Sequence, residues 1–197
     1  MNNPAQYPAD AAGARLKYWA FLSYSHRDAK WANWLHRKVE SYRPPKALVG
    51  TAGERGPVPR RLSPMFRDRE ELATATDLGT VIAEALRQSA CQIVICSRQS
   101  AKSKWVNEEI INFKRLGRED RIFCLIIDGE PNASDNPATA DDECFPPALR
   151  YKLDAAGNLS AIRTEPIAAD ARPGKDGRNN AKLKLIAGVL GVGFDAL

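Results

Sequence analysis

Short apolar runs alternate with amphipathic stretches along most of this chain. Buried strands are predicted by the runs YWAFLSY, CQIVICS and RIFCLIID, and weaker strands by LSPMF and SAIRTEPIA. Helices are predicted by stretches with apolar residues three and four apart: SHRDAKWANWLHRKVESY, TDLGTVIAEALRQS, KWVNEEIINFKRLG and NNAKLKLIAGVLGVGF. Because strands and helices alternate, we expect an α/β domain in which helices cover both faces of a parallel sheet.

Polar and turn residues mark the limits of these elements. Ser25 is placed to cap the first helix, with Asp28 three residues on as its partner in a capping box. Prolines after that helix end it, and residues 43–62 contain many turn residues and no apolar period. We therefore expect 43–62 to form an inserted basic loop that is mainly solvated. Residues 1–15 lack any periodicity and predict a disordered N-terminal tail before one domain at 16–197.

Composition fits that single domain. The 197 residues are 44% hydrophobic and 27% charged, as in an ordinary globular protein. No run approaches the roughly 18 to 20 apolar residues that a membrane span needs, and the start lacks the layout of a signal peptide. These features predict a cytoplasmic protein without a membrane span.

The positions of the cysteines, histidines and charged residues argue against a metal site, disulfide bonds and nucleic-acid binding. The four cysteines show no CxxC spacing and the two histidines offer no ligand cluster, so we expect reduced buried thiols and no metal. The net charge is +5, and seven Lys or Arg against two acids lie between Arg43 and Arg69. Such a segment attracts anions, but its inserted loop at 43–62 has no interleaved aromatic residues, so no nucleic acid is expected as a partner.

Several nucleotide and hydrolase motifs are missing or misplaced. The chain contains neither GxxxxGK[ST] nor GxSxG, and GVLGVG ends a helix instead of following a strand. Ligands of parallel α/β sheets bind at the carboxyl ends of the strands. The residues that follow the predicted strands are therefore the candidates for a site.

One carboxylate near such a strand end stands out in the stretch SAKSKWVNEEI. Trp105 and Glu109 are four residues apart and so face the same way on a helix, whereas Glu108 is turned by about 100° from Glu109. Val106, Ile110 and Phe113 share the side of Trp105 and Glu109, which places this glutamate toward the sheet. From the residues alone, Glu109 is either a functional buried acid or a boundary glutamate beside a tryptophan that covers the core.

Three segments carry a resemblance to a known family. AFLSYSHRD, MFRDREEL and CQIVICSRQSAKSKWVNEEI resemble the three sequence boxes of the Toll/interleukin-1 receptor (TIR) domain in its bacterial form, over about residues 16–194. The loop after Phe66 lacks the glycine often found there in the family. The resemblance implies a flavodoxin-like three-layer sandwich with a five-stranded parallel sheet.

The resemblance to the TIR domain also implies an activity, the cleavage of NAD⁺ at the nicotinamide–ribose bond, with NAD⁺ as substrate and no cofactor. Glu109 matches the family's catalytic glutamate, and Trp105 would stack on the nicotinamide or ribose. Pocket-lining positions of the family are matched by Tyr24, Ser25, Asp68 and Leu72, and we add Arg67 as a diphosphate contact. Two alternatives stay open: Tyr24 as a strand-end aromatic that closes the core, and Asp68 as a loop cap.

The same resemblance leaves other functions open. Some TIR domains have lost the activity and act only as interaction modules that scaffold signalling assemblies, and a related sheet occurs in nucleoside deoxyribosyltransferase-like enzymes. The expected partners are NAD⁺, other TIR copies that activate the enzyme by self-association, and a sensor or regulatory region elsewhere in a longer protein. Whether the product is linear or cyclic ADP-ribose is left open.

Overall fold

The computed structural model describes residues 8–9, 13–67 and 78–197. Nine strands lie within these ranges: β1 (Tyr18–Ser23), β2 (Ala52–Gly53), β3 (Gly56–Pro57), β4 (Phe66–Arg67), β5 (Ser89–Cys96), β6 (Ile122–Ile126), β7 (Tyr151–Leu153), β8 (Leu159–Arg163) and β9 (Ile167–Asp170). Five of them form one sheet in the order β4-β1-β5-β6-β9, and every neighbouring pair is parallel. The predicted α/β fold with a five-stranded parallel sheet is confirmed.

Helices cover both faces of this sheet. The described α-helices are α1 (Ala29–Glu40), α2 (Leu78–Arg87), α3 (Arg98–Ala101), α4 (Lys104–Arg115), α5 (Pro147–Arg150) and α6 (Gly177–Leu190). One hydrophobic core joins α1 and α6 to the sheet, and a second joins α2, α4 and α5 to its other face. The central strands follow the flavodoxin-like order 2-1-3-4-5, so the three-layer sandwich is as predicted.

Strand β5 contributes side chains to both hydrophobic cores. Ile93 and Ile95 pack on the α1 and α6 side, whereas Val94 and Cys96 pack on the opposite side. Successive side chains of a strand point to opposite faces, so a strand covered on both sides must be apolar throughout. All four cysteines are buried and carry free thiols.

The start of α1 differs from its prediction. Ser25 makes no side-chain cap, and a short 3₁₀ turn at His26–Asp28 precedes the helix, which begins at Ala29. Asp28 occupies the N-cap position without capping, because its carboxylate accepts a hydrogen bond from Ser97 instead. The predicted capping box is therefore wrong, and a tertiary contact replaces it.

The run SAIRTEPIA was predicted as one strand, which is also wrong. Its first part belongs to β8, which pairs antiparallel with β7 in a separate hairpin, and only β9 joins the central sheet. Pro166 stands between the two strands, and proline cannot donate a ladder hydrogen bond. The chain therefore changes direction and sheet at this point.

The basic insertion at 43–62 is exposed over most of its length but has firm anchors. Val58 and Leu62 are fully buried in the α1 and α6 core. The two residues of β2 pair with β3, and a Cβ added to Gly53 would lie 2.9 Å from the carbonyl oxygen of Leu190. Arg55 donates from Nε to the carbonyl oxygen of Gly188 at 2.9 Å. The insertion is thus held against the end of α6.

Part of the N-terminal segment also contacts the domain. The amide of Leu16 donates to the carbonyl oxygen of Pro8 at 2.8 Å, and Arg121 donates to that of Ala9 at 3.3 Å. Within the described ranges, no helix has both the length and the apolar composition of a membrane span.

Candidate active site

The carboxyl edge of the sheet is the first place to look for a site. The chain passes from β1 to β4 on one side and then to β5 on the other, so the strand order reverses between β1 and β5. In parallel sheets a ligand crevice opens outside the carboxyl ends of the strands at such a reversal. Tyr24 and Ser25 follow β1 here, and Ser97 follows β5.

A buried polar contact joins the end of β5 to the start of α1. Ser97 Oγ donates to Asp28 Oδ2 at 2.6 Å and accepts from the amides of Gln99 and Ser100 at 3.1 Å each. Burial raises the pKa of Asp28 above its ordinary value of 3.8; the Ser97 hydrogen bond opposes this, and the nearby charge of Asp128 adds to it. The contact fixes the start of α1 against the end of β5.

Sequence reasoning missed this contact because its partners are 69 residues apart. Asp28 had the expected local role of a cap, and Ser97 was a candidate only as a residue that follows a predicted strand. Within the sheet, Gln92 of β5 donates from Nε2 to Oγ of Ser23, the last residue of β1, at 2.8 Å, and both residues are fully buried. Two polar bridges therefore join β5 to the end of β1 and the end of β5 to the start of α1, in addition to the ladder hydrogen bonds between the strands.

Helix α4 places Glu109 in the buried layer. The helix begins after Ser103, whose Oγ accepts from the amide of Val106 at 3.3 Å. Glu109 is only 3% exposed, whereas Glu108 is exposed. This difference follows from the turn of about 100° between consecutive helical residues. Burying a carboxylate is unfavourable unless its surroundings compensate, so the position needs an explanation beyond packing.

Trp105 does not share that buried side. Its side chain is 60% exposed, although Val106, Ile110 and Phe113 are buried as predicted. Trp105 lies in the first turn of α4, and helical side chains lean toward the N-terminus of their helix. The indole therefore extends beyond the packed part of the helix, where it offers an open aromatic surface.

The remaining described candidates lie near β1 and β4. Tyr24 is 6% exposed and belongs to the core on the α1 and α6 side, whereas Glu109 lies in a helix on the other face. This burial fits the alternative in which Tyr24 closes the core. Ser25 is 7% exposed, and Arg67 ends β4 and donates from Nη1 to Asn33 Oδ1 of α1. Arg67 thus lies at the carboxyl edge of the sheet, but its side chain is hydrogen-bonded to α1.

Two further candidates cannot be placed. Asp68 and Leu72 lie outside the described residues, so their roles stay predictions. Among the residues that are described, no three His, Cys, Asp or Glu side chains are grouped to hold a metal ion.

Ion pairs balance the charge at the other end of this edge. Arg98 follows Ser97 and pairs with Asp128 and with Asp142, each at 3.0 Å. Arg172 follows β9 and pairs with Asp170 at 2.6 Å. Arg172 also pairs with Glu130 at 2.6 Å. Each pair is partly exposed and so contributes little by itself. Together the pairs of Arg98 and Arg172 connect the loops after β5, β6 and β9. The cations at this rim are thereby neutralised.

Comparisons with known proteins are consistent with this architecture. A family model described as "Thoeris protein ThsB, TIR-like domain" matches residues 21–132, which include Trp105 and Glu109. The chain is 32% identical over 139 residues to a protein named NAD(+) hydrolase ApTIR from Actinoplanes sp.; the match covers 68% of this chain. It spans only 18% of that relative.

A solved structure is also similar. The TIR domains of the activated Roq1 resistosome, which recognises the pathogen effector XopQ, share 19% identity with this chain at a TM-score of 0.43. The similarity covers 59% of this chain and 61% of that one.

Proposed function

The chain belongs to the bacterial TIR domain family, and on this premise we propose that it cleaves the bond between nicotinamide and ribose in NAD⁺. The observation that carries the proposal is the burial of Glu109, which is 3% exposed in a helix that follows β5. The 32% identity to a relative named NAD(+) hydrolase supports the choice of substrate.

The reaction suits a site with a single carboxylate. The C1′–N bond breaks with its electron pair moving to the nicotinamide nitrogen, which becomes neutral, so no acid has to protonate the leaving group. Positive charge then develops on the ribose. Water adds its oxygen to C1′ and loses a proton, which gives ADP-ribose and nicotinamide.

In this proposal Glu109 stabilises the ribose cation and holds the ribose hydroxyls, as carboxylates do in glycoside cleavage. Its buried position strengthens the interaction, because charges attract more strongly where water is excluded. The exposed indole of Trp105, one turn earlier in α4, supplies a stacking surface for the nicotinamide ring.

The other predicted residues would bind the rest of the substrate. Tyr24 and Ser25 lie at the end of β1 and would contact the substrate there. Arg67 would bind the diphosphate after breaking its hydrogen bond to Asn33. Asp68 and Leu72 would complete the pocket from the segment after β4.

The product depends on which nucleophile reaches C1′ first. Water yields linear ADP-ribose, and a nitrogen of the adenine ring of the same molecule yields a cyclic isomer. Mass spectrometry of the reaction mixture separates these outcomes, because the cyclic product is lighter by one water.

The test uses two neighbouring glutamates as a matched pair. Purified chain is incubated at high concentration with NAD⁺, and nicotinamide release is followed by chromatography. Glu109→Gln should lower the rate by on the order of 10²-fold or more, the usual effect of losing one electrostatic contact to a transition state. Glu108→Gln removes the same charge from an exposed position and should keep the wild-type rate. Equal losses in both variants would refute the assigned role of Glu109.

A scaffold without activity is the second candidate. It is favoured by large apolar side chains that are exposed on the described surface: Trp105 60%, Ile162 63%, Ile167 56% and Phe194 42%. Apolar side chains of this size mark association surfaces where they form a contiguous patch. Self-association without any nicotinamide release at high concentration would support the scaffold over the enzyme.

A further inference from the structure

Two adjacent clefts lie where the end of α1 meets the basic insertion. The first has a volume of about 600 Å³ and is lined by Trp34, Arg37, Lys38, Glu40, Ser41 and Arg61. The second has a volume of about 470 Å³ and is lined by Arg43, Pro44, Lys46, Val49 and Arg60. We call them the cationic clefts. Arg60 and Arg61 are consecutive and line one cleft each, so the two clefts are neighbours along the insertion.

The charge of these clefts is not balanced from within. In the described part of the chain, none of their six cations has a carboxylate within ion-pair distance, unlike Arg98 and Arg172 at the rim of the sheet. Glu40 is the one acid that lines them, and its Oε1 accepts from the amide of Met65 at 2.7 Å. That oxygen also lies 3.6 Å from His36 Nε2. The Glu40 carboxylate is therefore directed toward Met65 and His36 and, among the described residues, forms no ion pair with the cations that line the clefts.

Backbone contacts hold two of the arginines in place. Arg61 donates from Nε and Nη2 to the carbonyl oxygen of Glu40 at 3.4 and 3.3 Å, and Arg37 donates from Nε to that of Asn33 at 3.3 Å. A guanidinium has five N–H donors in a fixed fork, so each retains donors for a ligand. Phosphate oxygens are the acceptors that this fork matches best.

Trp34 adds an aromatic surface to the first cleft. Its ring packs edge to face against Trp31, with centroids 5.4 Å apart. Arg178 lies 4.1 Å from the centroid of Trp31 and 5.7 Å from that of Trp34. These contacts fix the orientation of the Trp34 indole beside Arg37 and Arg61. An aromatic ring beside a row of cations is the arrangement by which proteins bind unpaired bases and their phosphates.

We propose that the cationic clefts bind single-stranded nucleic acid. One base stacks on Trp34, and the phosphates on either side follow the cations from the first cleft into the second. A strand fits better than a mononucleotide because the cations occupy two clefts, which the phosphates of one nucleotide would not span. It fits better than a membrane surface because the cations line concave clefts. The clefts lie at the far end of α1, about 18 Å from its start at the carboxyl edge of the sheet.

The first measurement is the salt dependence of binding to a labelled single-stranded oligonucleotide of mixed sequence, followed by fluorescence anisotropy without NAD⁺. If about four phosphates are neutralised, the slope of log K against log salt is about −2.8, so affinity falls about fifty-fold between about 50 and 200 mM salt. Because NAD⁺ is absent, failure of the proposed catalysis would leave this result unaffected.

Two double variants separate the clefts from overall charge. Arg43→Ala with Lys46→Ala should make the slope shallower by about 1.4, since each lost phosphate contact accounts for about 0.7. Lys152→Ala with Lys175→Ala also removes two exposed cations, outside the clefts, and should keep the wild-type slope. Equal effects of the two doubles would overturn the proposal.

A third variant tests the stacking surface. Trp34→Leu should weaken binding on the order of ten-fold with little change in the salt slope, because stacking does not involve phosphate charge. Circular dichroism and urea unfolding establish that this variant is folded. The proposal fails if the strand does not bind, or if an equal concentration of duplex binds as well. It also fails if free ATP competes as strongly per molecule, or if phosphatidylserine vesicles bind with the same dependence on Arg43 and Lys46.

Discussion

Glu108 and Glu109 are adjacent residues with opposite environments. One is exposed and the other is buried, because consecutive residues of a helix differ in direction by about 100°. Trp105 shares the direction of Glu109 within about 40° but is exposed. Helical period sets the direction of a side chain, whereas the depth of burial depends on which elements pack around that turn.

Asp28 gives a prediction at the same scale. Burial raises its pKa above 3.8, so the folded state keeps the proton over a range in which the unfolded chain has lost it. The stabilising contribution is fully present below the unfolded pKa and is lost as the pH rises through the raised folded pKa. Asp28→Asn retains an oxygen that accepts from Ser97 and has no charge to bury. We expect the free energy of unfolding of Asp28→Asn to increase relative to that of wild type as the pH rises from about 3.8.

Urea unfolding of both proteins at a series of pH values measures this difference. Ser97→Ala is the control: it removes a hydrogen bond that lowers the pKa of Asp28, so the decline of stability should become steeper. A difference between wild type and Asp28→Asn that stays constant with pH would contradict the assignment.

At the scale of elements, α6 approaches the sheet unusually closely. A Cβ added to Gly188 would lie 2.6 Å from Cε1 and 2.9 Å from Cδ1 of Phe123, a ring that is 2% exposed. In an exposed helix interior, glycine to alanine stabilises by about 0.5 to 1 kcal/mol. Here the added methyl must displace a packed ring, and such overpacking costs about 1 to 3 kcal/mol. Gly188→Ala should therefore lower the free energy of unfolding.

Denaturant unfolding tests this, and a double variant identifies the cause. Adding Phe123→Leu to Gly188→Ala shortens the side chain that collides, so the two changes together should be less destabilising than the sum of each alone. Strict additivity would show that the ring and the methyl do not interact.

At the scale of the whole molecule, the insertion is connected to the core through Arg55. Its Nε donates to the carbonyl oxygen of Gly188 at 2.9 Å, and its guanidinium carbon lies 5.3 Å from the centroid of the Phe123 ring. A hydrogen bond from a charged group contributes about 1.5 to 3 kcal/mol. Arg55→Ala should lower the free energy of unfolding by an amount of that order.

The matched control is Arg60→Ala, which removes an exposed cation of the same insertion. Arg60 has no ion pair within the described ranges, so its loss should change stability by less than about 0.5 kcal/mol. Calorimetry or urea unfolding of the two variants compares them directly. Equal effects would mean that the insertion contributes through charge and not through its contact with α6.

The proposed activation by self-association gives a prediction for the assembled protein. If neighbouring copies complete the site, specific activity should rise with protein concentration, because the fraction of associated chains follows mass action. Nicotinamide release measured over a dilution series checks this. A rate strictly proportional to protein concentration would show that a single copy is sufficient. Trp105→Ala removes a large exposed side chain, and sedimentation of this variant without NAD⁺ tests whether that surface contributes to association separately from substrate stacking.

Much of the fold follows from local pattern. The buried strands β5 and β6 are apolar runs in the sequence because both of their faces are covered, and α4 ends near Gly117, whose φ of 72° suits glycine. The position of Glu109 on a buried face likewise follows from helical period. Such features depend on neighbours within a few residues, so the sequence by itself determines them.

Other features depend on residues that only folding brings together. The hydrogen bond from Ser97 to Asp28 and the approach of Phe123 to Gly188 join distant segments, and no local pattern encodes them. The basic insertion lacks aromatic residues, which argued against nucleic acid, but the fold places Trp34 of α1 beside its Arg61. The sequence therefore determined the elements and which faces they bury, while the tertiary structure decided which side chains from separate elements share a surface, because that depends on how the elements pack.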